Sequence, residues 1–188
     1  MAWMRSRADH TKMLVFAGIL TALALALSLI DTAVTSLFAF LPGFRLGLAN
    51  IAALYALYTL GLPWALAISV ARCVLTAVFS GQATMFLFSI MGAVGSTLLM
   101  GLLRNRLSVI KVSMCGGITH NLLQLLAAVW ITAAPGIGNY LPVLIILGTL
   151  TGFLIGWLCT LLLRRLHPLS THAQNSIEEQ THSEADEQ

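Results

Sequence analysis

The chain reads as long apolar stretches separated by short breaks that carry charges, glycines or prolines. A helix rises 1.5 Å per residue, so about 20 apolar residues cross a bilayer core. Taking charges and helix breakers as borders predicts six helices. The first runs Met13–Ile30, closed by Asp31, the second from about Leu46 to Leu60, and the third Pro63–Phe79. The fourth runs from about Thr84 to Leu103, the fifth from Val109 to about Ala133, and the sixth Leu141–Leu163, closed by Arg164 and Arg165. Gly61-Leu62-Pro63 reads as the turn between the second and third, because proline suits the first turn of a new helix. These two are the shortest, and one long broken helix there would change the topology. The pattern predicts an all-α polytopic membrane protein, a compact bundle of about six transmembrane helices.

Composition sharpens this. Of 188 residues, 58% are hydrophobic and 9% charged, whereas a soluble domain carries about 25% charged residues to face water. Mean hydropathy is +0.89. The chain holds 10 basic and 7 acidic residues, yet before His167 the only acids are Asp9 and Asp31. A body with so few charges has lipid as its solvent. Three domains of composition follow: a basic N-terminus over 1–12, a transmembrane body over 13–166, and an acidic tail over 167–188 that is too polar to bury a core and is expected to be disordered. The apolar run after Lys12 continues far past the core of a signal peptide, so no cleavage is expected there.

The basic residues orient the bundle. Cytoplasmic loops collect Lys and Arg. With the N-terminus inside, the inner segments hold Arg5, Arg7, Lys12, Arg104, Arg106, Lys111, Arg164 and Arg165, eight of the ten. Both termini are therefore expected to be cytoplasmic. The basic charges flank apolar runs, which points to a membrane rather than nucleic acid.

Ionisable groups within membrane spans are costly and mark function or buried pairs. Arg72 lies nine residues after Pro63 and seven before Phe79, close to mid-span. His120, Asn121 and Gln124 share one face of the fifth helix, with His120 ~13 Å past Lys111. Asn50 and Arg45 lie near the outer start of the second helix, and Asp31 at the outer end of the first. Together these groups occupy the outer half and midplane, which suggests a polar cavity reached from outside. For Arg72 the alternative is a buried ion pair with Asp31, for His120 a satisfied core histidine, and for Asn121 and Gln124 hydrogen bonding between helices. The apolar segment Phe38–Phe44 is too short to span and reads either as a lid over the cavity or as an interfacial anchor.

Small residues at spacing four let membrane helices approach closely. Gly18, Ala22 and Ala26 form one such stripe, and Gly148, Gly152, Gly156 and Thr160 another. Each could pack within the bundle or dock a partner. No phosphate-binding loop, GxSxG, HExxH or CxxC pair occurs. Cys73, Cys115 and Cys159 are scattered in apolar runs and read as small core residues. The body lacks the paired carboxylates that hold a metal–diphosphate substrate. No catalytic residue, cofactor or metal is expected, and an enzymatic role is unsupported.

The segment Pro42-Gly43-Phe44-Arg45-Leu46-Gly47-Leu48-Ala49-Asn50-Ile51 resembles the PG-x-[KR]-LGLANI segment of bacterial proteins of the Gx transporter family, also called heptaprenyl diphosphate synthase component I. Leu27–Asp31, Arg72 and Gly117-Ile118-Thr119-His120-Asn121-Leu122-Leu123-Gln124 also look like it, with Thr119 where alanine is usual. The resemblance covers about residues 12–165. It implies similarity to the substrate-binding S components of energy-coupling factor transporters, six-helix bundles of the bacterial inner (plasma) membrane. There a stripe like Gly18, Ala22 and Ala26 docks a transmembrane coupling subunit, and separate ATPases supply energy.

The expectation is a membrane subunit that binds a small molecule from the outer face through Asp31, Arg45, Asn50, Arg72, His120, Asn121 and Gln124. Arg45 and Arg72 would meet an anionic or carbonyl-rich group. The family's other name implies the alternative, a noncatalytic membrane component of heptaprenyl diphosphate or menaquinone synthesis. A purely structural subunit of a membrane complex is a third reading.

Overall fold

The computed structural model describes the backbone of residues 2–36, 46–81 and 83–186, and side chains within 11–34, 46–81, 86–134 and 136–165. The described residues are helical, with no strand. Helices α1 (Ala2–Ser36), α2 (Asn50–Thr59), α3 (Leu62–Ser80), α4 (Ala83–Leu103), α5 (Val109–Thr132) and α6 (Leu141–Asp186) follow in order, with a 3₁₀ turn over Pro135–Tyr140 before α6. Five stretches are long and apolar enough to cross a membrane: Thr11–Val34, Leu62–Ser80, Phe86–Leu103, Val109–Thr132 and Gly136–Arg165.

The second helix differs from its expected length. It starts at Asn50 rather than Leu46 and is 10 residues long, ~15 Å at helical rise, half a hydrocarbon core. The reason lies at Gly47, whose φ of +71° belongs to the left-handed region that a helix cannot contain. The turn that follows bonds Asn50 N to the Gly47 carbonyl (2.8 Å) and Ile51 N to that of Leu48 (3.2 Å), and only then does the helix run on. Its sequence, NIAALYALYT, is apolar on every side, the mark of a helix with no face to solvent. Accordingly α2 packs against α1, α3, α4 and α6, and Leu54, Ala56 and Leu57 have no exposed surface.

Elsewhere the borders follow local breakers. The Gly61-Leu62-Pro63 turn forms as expected, with the N–H groups of Leu60 and Gly61 both donating to the Ala56 carbonyl. Arg104 Nη1 donates to the Leu57 carbonyl at 3.0 Å. This satisfies one of the carbonyls that a helix end leaves open and ties the end of α4 to that of α2. Gly81 caps α3 with φ +66°. The helix α6 continues through Arg165 and the segment expected to be disordered, as far as Asp186.

Helices α5 and α6 touch backbone to backbone. A Cβ on Gly117 would collide with the Gly148 carbonyl, and one on Gly152 would lie 2.7 Å from the Ser113 carbonyl. The stripe Gly148, Gly152 and Gly156 therefore faces inward, as close packing in lipid requires. Gly18 on α1 has nothing within 4 Å of its Cβ position, and Ala22 and Ala26 are exposed beside it. The two stripes, alike in sequence, face opposite ways, one into the bundle and one outward. In a solvent without water, hydroxyls satisfy themselves locally: Thr21, Thr76, Thr132 and Thr160 each donate to the carbonyl four residues back.

Candidate functional site

The half-helix α2 places its first residue at the depth of the middle of α3. Asn50 Oδ1 accepts from Arg72 Nη2 at 3.3 Å, so Asn50 is level with Arg72, midway along α3, and not beside an end of α3 where a full-length second helix would have put it. Arg72 is 4% exposed. Its Nη1 donates to Ser28 Oγ on α1 at 3.1 Å, and its Nε has no hydrogen-bond partner. Among the described residues the guanidinium thus meets a hydroxyl and an amide oxygen and no carboxylate.

Asp31, one turn beyond Ser28 on α1, does something else. Its Oδ1 accepts the backbone N–H of Leu46 and its Oδ2 that of Gly47, both at 3.0 Å. The buried ion pair with Arg72 weighed from the sequence is replaced by a carboxylate that holds the turn ahead of α2. Gly47 is needed here twice over. Besides its positive φ, its Cβ position lies 3.1 Å from Asn50 Nδ2 and 3.9 Å from the His120 ring.

His120, Asn121 and Gln124 are all buried on α5. Asn121 Nδ2 donates to the Leu144 carbonyl of α6 at 3.2 Å, the bond between helices that its sequence position allowed. Gln124 is 1% exposed, and neither its Oε1 nor its Nε2 has a hydrogen-bond partner. Buried amides are nearly always paired, so this one stands out. Opposite it, a Cβ on Gly92 of α4 would come within 2.9 Å of Gln124 Cγ and 3.0 Å of His120 Nδ1. Gly47, Asn50, Ser113, His120, Asn121 and Thr151 contribute to the lining of a cavity of ≈ 10 Å³ between α2, α4, α5 and α6, room for about one water.

Asp31, Asn50, Arg72, His120, Asn121 and Gln124 therefore all lie inside the bundle. Asn50 joins Arg72 directly and, through Gly47, adjoins His120. Arg45 and the segment Phe38–Phe44 lie outside the described residues. Sequence reasoning missed Ser28, although it stands three residues before Asp31 and shares its helix face. It also missed Gly92, whose lack of a side chain makes room for Gln124 and His120. Among the described residues no grouping of His, Cys, Asp and Glu could hold a metal ion.

Five apolar helices of spanning length around a buried half-helix, with a polar cluster at its start, define a polytopic helical membrane protein. The chain belongs to the heptaprenyl diphosphate synthase component I family, whose model matches residues 20–162. The matched region takes in every candidate binding residue and the greater part of the bundle. No curated protein matched the chain, and no solved structure did.

Proposed function

We propose that this protein is the substrate-binding subunit of a small-molecule uptake transporter, similar to the S components of energy-coupling factor systems. It resides in a bacterial inner membrane with both termini cytoplasmic and receives its ligand from the outer face. The observation that carries this reading is the set of buried polar atoms left without partners in the cluster, Arg72 Nε and both amide atoms of Gln124. A protein that only packs its helices has no use for such groups, since each costs about 1–3 kcal/mol in desolvation. A ligand that bonds them recovers that cost. Asn50, which bonds Arg72, lines the neighbouring cavity with His120 and Asn121, Asp31 holds the adjoining turn, and Arg45 is assigned to the outer side.

No energy-coupling motif is present, so transport requires a partner. The exposed stripe Gly18, Ala22 and Ala26 is assigned to a transmembrane coupling subunit that works with separate ATPases. Gentle affinity purification followed by mass spectrometry of both small molecules and proteins tests this. A released small molecule and a copurifying membrane subunit are expected, with the subunit lost in Ala22→Leu and the small molecule retained. Absence of any small molecule from protein purified in this way refutes the binding reading.

A second reading follows from the family to which the chain belongs: a noncatalytic membrane component of heptaprenyl diphosphate or menaquinone synthesis. It requires copurification with a soluble, acid-rich catalytic subunit and loss of prenyl product on deletion of the gene. Normal product in the deletion strain removes it.

A further inference from the structure

We infer that Arg72 is the receptor for an oxyanion, a carboxylate or phosphate group, on the ligand of this site. The inference rests on the binding reading above and names the ligand's charge. The guanidinium is permanently charged and carries five N–H donors. It is 4% exposed at mid-span, where a charge without a counter-ion is unfavourable. Two of its donors meet neutral oxygens of Ser28 and Asn50, and Nε meets none.

The counter-ion that the sequence offers is committed elsewhere. Before the tail, the acids are Asp9 and Asp31, and both Asp31 oxygens accept backbone N–H groups of Leu46 and Gly47. Among the described residues, then, no carboxylate is hydrogen-bonded to Arg72. The neighbouring cavity of ≈ 10 Å³, which Asn50 lines, takes about one water, so binding an oxyanion at Arg72 requires the site to widen.

Asn50→Asp is the discriminating variant. It is isosteric, and it hands Arg72 a carboxylate permanently. The full chain, in nanodiscs of phosphatidylcholine, is melted in sodium acetate, inorganic phosphate or sodium chloride at matched ionic strength. In parallel, small molecules released from freshly purified protein are identified by mass spectrometry. The expected result is a higher Tm in acetate or phosphate than in chloride for the wild type, absent in Asn50→Asp and in Arg72→Gln. Asn50→Asp melts higher than wild type in chloride, which shows that it folds. The released molecule carries a carboxylate or phosphate, and its yield falls about tenfold in Asn50→Asp. An oxyanion shift that persists in Asn50→Asp, or a released molecule that is neutral or cationic, overturns the inference while leaving the binding reading in place. No released molecule overturns both.

Discussion

The Asp31 carboxylate accepts the backbone N–H of Gly47 at 3.0 Å across sixteen positions of chain, and its other oxygen accepts that of Leu46. A lone acid in a basic, apolar body is thereby used to anchor a turn within the bundle. The anchor sets where α2 begins, and the start of α2 sets Asn50 level with Arg72.

Asp31→Asn keeps one oxygen and turns an NH2 group against the second backbone N–H. We expect a loss of about 1–3 kcal/mol in unfolding free energy, with Asp31→Ala losing more because two backbone donors are then left open. Unfolding of the purified proteins in detergent, followed by far-UV circular dichroism, checks this. Equal stability of all three would show that the turn stands without its anchor.

At Gly47, alanine must adopt φ +71° with its Cβ 3.1 Å from Asn50 Nδ2. The expected cost of Gly47→Ala is about 1–2 kcal/mol from backbone conformation. Ligand retention falls too, because the displaced Asn50 side chain is the one that meets Arg72. Gly47→Asn, a residue that tolerates the left-handed region better, recovers part of the stability. The readouts are the same unfolding measurement and the yield of released small molecule.

The two glycine stripes predict opposite outcomes. Gly117→Ala drives a methyl into the Gly148 carbonyl and forces α5 from α6, at an expected cost of about 1–3 kcal/mol. Gly18→Ala meets open space and changes stability by less than about 0.5 kcal/mol. Detergent unfolding of the pair separates internal packing from an unoccupied face. A large loss at Gly18 would place that stripe inside the fold.

Gly92→Ala puts a methyl 2.9 Å from Gln124 Cγ and 3.0 Å from His120 Nδ1. The two side chains must give way, and the Gln124 amide moves from its place in the cluster. We expect released ligand to fall about tenfold while copurification of a partner at α1 is unchanged. Ligand yield equal to wild type would remove Gln124 and His120 from the site.

Much of the architecture was legible because its causes are local. The third to fifth helices begin and end within one or two residues of their breakers, since proline, glycine and charge act on the backbone beside them. The burial of Arg72, His120, Asn121 and Gln124 was legible too, from their position within apolar runs. The length of α2 was not. Apart from Asn50 and Thr59, Leu46–Leu60 carries no strongly polar residue and no proline, and what cuts the helix short is a left-handed glycine held by a carboxylate on another helix. Nor could spacing tell the Gly148 stripe from the Gly18 stripe, because both satisfy the same rule for close approach.

By itself, the sequence determined the solvent, the number of apolar elements, and the few polar groups that must lie among them. These depend on what each residue costs in lipid, which is a property of the residue. Only the tertiary structure decided that α2 is a half-helix at the centre of the bundle, that Arg72 bonds Ser28 and Asn50, and that Asp31 serves backbone N–H groups instead. Those choices are made by hydrogen-bond partners drawn from distant parts of the chain, which lipid offers no water to replace.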